Sequence, residues 1–254
     1  MIPDARRANM TAMIASGLAA RLCVAVMAGF VPLAAAHAQT PDQFDKPSSV
    51  QIIRPKPEES TEIRCTYFTD LMIRETQDGP DSENAVLVRN AKAPCTAKPG
   101  SGETILDTSG MTLDGRRGAF LLFSDLNPHG ATGFVVIDAR TGKILLRDSA
   151  LSNPVLQSLA LENGNLRLRY RRGVNAPCSL RDDVRSCWAQ LVRERLVPAD
   201  MTVPAAQICN ETYARDNAPR DNPSIVVYAT EVVIDTGGKA NVVSRGAAQC
   251  EPLP

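Results

Sequence analysis

The chain contains 254 residues, of which 44% are hydrophobic and 4% aromatic, and it carries 28 basic and 28 acidic side chains. A chain of this length can bury roughly 70% of its unfolded surface in a single domain. The balanced charge gives it no global attraction to nucleic acid or to anionic membranes, so we expect neither as a partner.

The first 38 residues have the organisation of a secretory signal peptide. Basic residues up to Arg21 precede an apolar run over residues 22–36, and the triplet Ala36-His37-Ala38 fits a small-x-small cleavage site. The apolar run is shorter than the roughly 20 residues that a membrane-spanning helix needs. We therefore expect a signal peptide at residues 1–38, a periplasmic or secreted protein, and no membrane span after cleavage.

The mature chain is expected to consist of a flexible leader and one folded domain. Residues 39–60 are polar and contain four prolines, so they cannot bury enough apolar surface to offset the entropy of ordering. Within this leader, residues 50–53 are a candidate for a short edge strand. Residues 61–254 are expected to form a single disulfide-braced, β-rich domain.

Alternating polarity and turn signals predict strands through most of this domain. Ile63, Cys65 and Tyr67 alternate with polar residues towards Ile73, and an Asp-Gly-Pro-Asp turn precedes a return strand at residues 85–88. An Asn-Gly pair at 163–164 between two alternating segments is the strongest short hairpin signal. Further strands are predicted at residues 119–123, 133–138, 144–146, 158–161, 166–170, 224–234 and 240–243.

Two short helices are predicted near the C-terminus. Residues 181–195 place Val184, Trp188 and Leu191 near helical spacing, with two aspartates suited to the first turn. Residues 204–215 begin with a proline, which favours a helix start. Together these elements predict a mainly β fold, α+β by content, in which antiparallel hairpins form a sandwich or a barrel-like sheet.

Six cysteines remain after residue 38, and an even number in an exported chain predicts three disulfides. They are Cys65, Cys95, Cys178, Cys187, Cys209 and Cys250. Pairing between sequence neighbours would give Cys65–Cys95, Cys178–Cys187 and Cys209–Cys250, although sequence alone cannot choose among the alternatives. No metal site is predicted, because the chain has no C-x-x-C pair and a single histidine after residue 38.

Several segments spread over most of the chain from Cys65 onward form a recognisable set. They are Cys65-Thr66-Tyr67-Phe68-Thr69-Asp70, Ile73-Arg74-Glu75, Ala93-Pro94-Cys95, residues 133–143, Asp148-Ser149-Ala150, Arg169-Tyr170-Arg171-Arg172, Pro177-Cys178-Ser179-Leu180 and Cys187-Trp188. Together they resemble an uncharacterised family of secreted proteobacterial proteins with paired cysteines and no known activity. The resemblance implies export and paired cysteines but no ligand and no catalytic residue.

The sequence contains no recognisable catalytic centre, so we predict no catalytic residue and no cofactor. A G-x-S-x-G motif is absent, and His129 lies in an Asn-Pro-His-Gly turn composition without a visible orienting partner. Asp70 and Glu75 lie close together in sequence, and paired carboxylates serve glycosidases. These two residues keep open the alternative of an exported hydrolase that uses acidic side chains.

The clearest candidate for ligand binding is a row of three arginines. On a strand, Arg167, Arg169 and Arg171 lie on one face, about 7 Å apart along the chain, while Leu168 and Tyr170 face the other side. Such a row of guanidinium groups could bind the carboxylates or phosphates of an envelope polymer. The alternative is a solvated face whose arginines pair with acids on the neighbouring strand.

These observations favour a secreted or periplasmic, non-enzymatic binding or interaction protein whose partner the sequence does not identify. An envelope polymer and a secreted protein are the candidate partners. The alternatives are an exported hydrolase and an inhibitor of a secreted enzyme. A deep pocket with two close carboxylates would favour the hydrolase, and a protruding loop held by Cys178–Cys187 would favour the inhibitor.

We predict that the exported protein begins at Gln39, because the apolar run ends there in a small-x-small triplet. N-terminal sequencing of protein recovered from outside the cytoplasm measures this directly. Recovery of exported protein that still carries residues 6–38 would contradict the prediction.

Overall fold

The structure is a computed structural model that describes residues 43–55, 61–77, 83–96, 100, 102–125, 130–151 and 154–254. The predicted signal peptide and His129 lie outside these ranges. The elements are β1 Ser49–Ile53, β2 Glu62–Tyr67, β3 Met72–Gln77, β4 Glu83–Val88, β5 Thr104–Leu106, β6 Thr112–Arg117, β7 Phe120–Ser124, β8 Thr132–Asp138, β9 Ile144–Ala150, β10 Ser158–Glu162, β11 Asn165–Asn175, α1 Val184–Arg193, α2 Ala206–Arg215, β12 Ser224–Ile234, β13 Ala240–Arg245 and β14 Gln249–Pro252. Among the described residues, no helix is long and apolar enough to cross a membrane.

The first sheet is an antiparallel meander in the order β1-β2-β3-β4-β5. The alternation at Ile63, Cys65 and Tyr67 places all three side chains in a buried cluster on one face of this sheet. The chain reverses after β2 through a hydrogen bond from the Phe68 N–H to the Leu71 carbonyl at 2.8 Å. The predicted alternation therefore ends at this turn, and Ile73 belongs to the next strand.

The second sheet has the order β13-β12-β11-β9-β8-β7-β6, with β10 also paired to β11 and β14 also paired to β12. Two long strands form its centre, because β11 and β12 pair over their lengths, from Leu166 opposite Ile234 to Asn175 opposite Ile225. Each long strand meets two shorter partners in succession on its outer side. The sheet is open, with β6 and β13 at its ends.

The two sheets pack face to face, which confirms the predicted mainly β, antiparallel fold with two helices near the C-terminus. Ile73 and Leu87 of the first sheet share one buried cluster with Leu121, Val135 and Ile137 of the second. The opposite face of the second sheet carries another apolar cluster. Its members include Phe120, Leu122, Phe134, Leu166, Leu168 and Tyr170. The sandwich therefore has a core on both faces of its larger sheet.

The residues expected to form a flexible leader contact both sheets where the structure describes them. The candidate edge strand is present as β1, which pairs with β2. Before it, residues 43–48 form a strap: the Asp45 N–H donates to the Arg116 carbonyl at 2.7 Å, and an Asp45 carboxylate oxygen accepts from the Gly118 N–H at 2.7 Å. Phe44 of this strap packs against the apolar cluster of the second sheet.

The three disulfides predicted from the cysteine count are present, in the neighbour pairing. Cys65–Cys95 holds the segment after β4 against the first sheet, since both cysteines belong to its buried cluster. Cys178–Cys187 links the segment after β11 to α1, and Cys209–Cys250 links α2 to β14. Three disulfides indicate an oxidising, extracytoplasmic environment.

Both predicted helices form, with shorter bounds than the sequence indicated. Asp183 is the N-cap of α1, and its carboxylate accepts a hydrogen bond from the Ser186 N–H at 3.0 Å. The helices pack their buried residues, among them Leu191 and Tyr213, into a third apolar cluster with the ends of β11 and β12.

We predict that Gly115→Ala destabilises the protein by about 1–3 kcal/mol, the usual cost of overpacking. A Cβ atom at Gly115 would lie 2.5 Å from Cγ of Phe44, and the strap backbone is held too firmly for the ring to withdraw at no cost. Urea unfolding measures the change. In a Phe44→Ala background the same substitution should cost much less, and equal losses in both backgrounds would contradict this packing role.

Candidate oxyanion-binding site

The predicted arginine row lies on one face of β11, and each of its members contacts a carboxylate. Arg167 pairs with both Glu231 of β12 and Glu162 of β10. Arg169 Nε donates to Glu231 at 2.9 Å, and Arg171 Nη2 donates to Glu251 of β14 at 2.7 Å. The three positive charges therefore face three carboxylates on neighbouring strands. Polyanion binding by this row stays a prediction.

The acidic residues considered for a hydrolase have separate partners. Asp70 forms an ion pair with Arg116, and the hydrogen bonds from that guanidinium are the main reason that the pKa of Asp70 is lowered. Glu75 is buried, and its Oε1 accepts from the Leu113 N–H at 2.7 Å. A small cavity between the strap and the second sheet is lined by Arg117 and apolar side chains, without a carboxylate.

The disulfide considered for an inhibitor is packed into the fold. Cys187 is buried, and Cys178 packs against the same cluster under the helices. Ser179 and Leu180, which lie inside this disulfide loop, are buried as well. Asp182, Asp183, Arg185 and Ser186 of the same loop are exposed, and an inhibitor role stays a prediction.

The opposite face of β11 carries polar side chains that the sequence did not single out. After the buried Leu168 and Tyr170, strict alternation brings Arg172 to the same face. Because β11 and β12 pair without a bulge, Tyr170 lies opposite Thr230 and Arg172 lies opposite Tyr228. We use the name polar cluster for these residues together with their neighbours on β9 and β13: Asp148, Tyr170, Arg172, Tyr228, Thr230 and Arg245.

One half of the polar cluster is a continuous hydrogen-bonded chain. The Tyr170 hydroxyl donates to Asp148 Oδ2 at 2.6 Å, and Arg172 Nε donates to Asp148 Oδ1 at 2.7 Å. Arg172 Nη1 donates to the Tyr228 hydroxyl oxygen at 2.7 Å, and its guanidinium lies 5.8 Å from the centre of that ring. Both oxygens of Asp148 are therefore occupied, while the Tyr228 hydroxyl donates to no acceptor in the described parts of the chain.

The other half of the cluster has donors without acceptors. Thr230 is 5% exposed, and its Oγ1 has no hydrogen-bond partner among the described residues. Arg245 lies directly opposite Thr230 across the β12–β13 pair, which places both side chains on one face. Arg245 is exposed and forms no ion pair or hydrogen bond with any residue that the structure describes.

Burial and neighbouring charges both affect the pKa values of Tyr170 and Tyr228. Burial raises the pKa of Tyr170, and the neighbouring Asp148 carboxylate raises it further. Burial also raises the pKa of Tyr228, against the guanidinium groups of Arg172 and Arg245, which lower it. Both phenols therefore keep their protons at neutral pH and can act as hydrogen-bond donors.

This arrangement favours an anion over a cation. Two guanidinium groups, from Arg172 and Arg245, stand beside a single carboxylate, so the cluster carries an excess of positive charge. Tyr228 and Thr230 add two hydroxyl donors on the same face. Guanidinium and hydroxyl donors are the groups that proteins use to bind carboxylates and phosphates. Within the described residues, no group of three or more His, Cys, Asp or Glu side chains could hold a metal ion.

Comparisons of the chain with protein-family models, with curated proteins and with solved structures give no match. The resemblance to a family of secreted proteobacterial proteins therefore stays a prediction, and the function has to be argued from the chemistry of the site.

One signal in the sequence could have pointed to this cluster. Arg172 continues the alternation of Leu166, Leu168 and Tyr170, so it is a charged residue at a position of the apolar face. Buried-face charges need partners, which makes them candidates for a site. The residues opposite it, Tyr228 and Thr230, could not be assigned without the pairing register of β11 and β12.

We predict that Tyr170 makes the free energy of unfolding fall as the pH rises above about 10, the ordinary tyrosine pKa. In that range the unfolded chain releases the phenolic proton, whereas the folded chain retains it because the pKa of Tyr170 is raised. The slope from this group is at most about 1.4 kcal/mol per pH unit. Urea unfolding between pH 9 and 11 should give a shallower slope for Tyr170→Phe, and an unchanged slope would contradict the assignment.

Proposed function

We propose that this chain is a periplasmic or secreted, non-enzymatic binding protein that holds the carboxylate or phosphate group of its ligand at the polar cluster. The observation that carries the proposal is the buried Thr230 hydroxyl, which has no hydrogen-bond partner among the described residues and lies on the strand opposite Arg245, which has no counterion among them. The predicted signal peptide and the three disulfides support export.

An unpartnered buried hydroxyl is costly, which is why it supports a binding role. Leaving a buried donor or acceptor unsatisfied costs about 1–3 kcal/mol, and a fold under selection for stability alone would gain from a valine at position 230. Binding sites commonly retain such groups at the expense of stability, because the ligand supplies the missing acceptor.

The geometry also explains why the ligand group would be an oxyanion. Tyr228 and Arg172 already form a fixed pair through a 2.7 Å hydrogen bond, and Asp148 holds the Arg172 guanidinium in place from the other side. An oxyanion beside Tyr228 and Thr230 would accept from both hydroxyl groups and would provide Arg245 with a counterion. A cation at the same place would be repelled by the positive charges of Arg172 and Arg245.

The test compares Thr230→Val with the unsubstituted protein, using inorganic phosphate and acetate as ligands and sodium chloride of equal ionic strength as the reference. Without ligand, Thr230→Val should raise the free energy of unfolding by about 1 kcal/mol, because it removes the unsatisfied hydroxyl at nearly constant volume. With phosphate or acetate, the unsubstituted protein should gain stability and Thr230→Val should gain much less. The two oxyanions are measured separately, which distinguishes a carboxylate site from a phosphate site.

Arg245→Gln and Lys239→Gln form a matched pair of controls for charge. Both substitutions remove one exposed positive charge from the β12–β13 hairpin, but only Arg245 lies opposite Thr230. Isothermal titration should give at least tenfold weaker oxyanion binding for Arg245→Gln and unchanged binding for Lys239→Gln. Equal weakening in both variants, or no binding by the unsubstituted protein, would refute the proposed function.

A further inference from the structure

The outer edge of the first sheet is a strand without the features that normally protect a sheet edge. Among the residues that the structure describes, β1 pairs only with β2, and it is the terminal strand in the order β1-β2-β3-β4-β5. Its five residues, Ser49–Ile53, include no charged side chain and no proline. An edge of this kind presents unpaired N–H and C=O groups that a further strand can bind.

Two of the four exposed side chains of β1 are apolar, and the other two, Ser49 and Gln51, are polar. Val50 is 51% exposed and Ile52 is 52% exposed, and the alternation of a strand places both on the same face. Arg54, directly after the strand, is paired with Glu62 at 3.1 Å, so its charge is partly offset beside the edge.

The sheet edges at β5, β6 and β13 differ from β1. β5 has only three residues. β13 contains a bulge opposite Glu231 and Val232, and it ends in the charged Arg245. β6 carries charged residues, and its Arg116 carbonyl already accepts a hydrogen bond from Asp45 of the strap. Bulges, charges and covering segments are the usual means by which proteins prevent pairing between edges.

We propose that β1 is the interface between two copies of this chain, which pair antiparallel about a twofold axis at Gln51. In this register Val50 of each copy lies opposite Ile52 of the other, so four exposed apolar side chains form one cross-strand cluster. Pro47 and Pro55 are equally distant from Gln51 and bracket the paired segment at both ends. The segment is therefore complementary to itself in length, polarity and charge, as an isologous interface requires.

The pairing would join the two first sheets into one continuous antiparallel sheet. A single five-residue strand pair provides a small interface, and interfaces below about 1,200 Å² are typically weak or transient. We therefore expect weak dimerisation that increases with the concentration of the protein.

The sharpest test of the register uses introduced cysteines, because the six cysteines among the described residues are all disulfide-bonded. Gln51 lies on the axis, so Gln51→Cys should place two Cα atoms about 4.5–5.5 Å apart, within the range of a disulfide. Ser49→Cys is the matched control, because it lies on the same face but about 13 Å from its own copy. Mild oxidation and a non-reducing gel should give covalent dimer for Gln51→Cys and little for Ser49→Cys.

Sedimentation velocity over a concentration series tests the interface without introduced thiols. The double variant Val50→Lys and Ile52→Lys should dimerise at least tenfold more weakly, whereas Val242→Lys, at a similarly exposed valine of β13, should dimerise like the unsubstituted protein. Thermal unfolding of each variant verifies that its fold is intact. A protein that remains monomeric up to about 1 mM, a dimer weakened equally by Val242→Lys, or equal cross-linking at positions 49 and 51 would overturn the proposal.

Discussion

The pairing of β11 with β12 is the constraint on which the rest of the structure depends. The two strands pair from Leu166 opposite Ile234 to Asn175 opposite Ile225 without a register shift. Because side chains alternate strictly between the two faces, this single register decides the surroundings of every residue on both strands. A slip by one residue would expose the buried Leu168 and Tyr170 and bury the arginine row.

The same register places the arginines of β11 on two faces with different surroundings. On the outer face, Arg167, Arg169 and Arg171 meet carboxylates on adjacent strands, where exposed ion pairs contribute little to stability. On the inner face, Arg172 lies between Asp148 and Tyr228 beside the apolar core. Electrostatic interactions are stronger in such a partly desolvated place, so the inner face is the better setting for selective recognition.

The disulfides connect loop and helix segments to the rest of the fold. Cys65–Cys95 closes a separation of 30 residues and Cys209–Cys250 one of 41, which in the chain-entropy account corresponds to about 3–4 kcal/mol each. The Cys209–Cys250 disulfide fixes α2 against β14, and β14 in turn supplies Glu251 to Arg171. The same disulfide constrains β14, which pairs with β12 from Ser224 to Val227.

The sequence by itself determined those turns and caps that depend only on residues close together in the chain. Asn163 and Gly164 both adopt the positive φ that a tight hairpin turn demands, and Asp183 caps α1, because these choices depend on a few adjacent residues. Even the cysteine pairing followed sequence neighbours, although nothing in the sequence required that outcome.

Only the tertiary structure decided which side chains lie opposite one another on neighbouring strands. β6 was not predicted, since Thr112–Arg117 lacks an apolar alternation and is held in place by its neighbour β7 and by the strap. Thr230 and Arg245 are 15 positions apart in the chain, and their opposition depends on the bulge in the β12–β13 pair. Local sequence sets which face of a strand is apolar, but long-range pairing brings the β9, β11, β12 and β13 residues of the candidate site together.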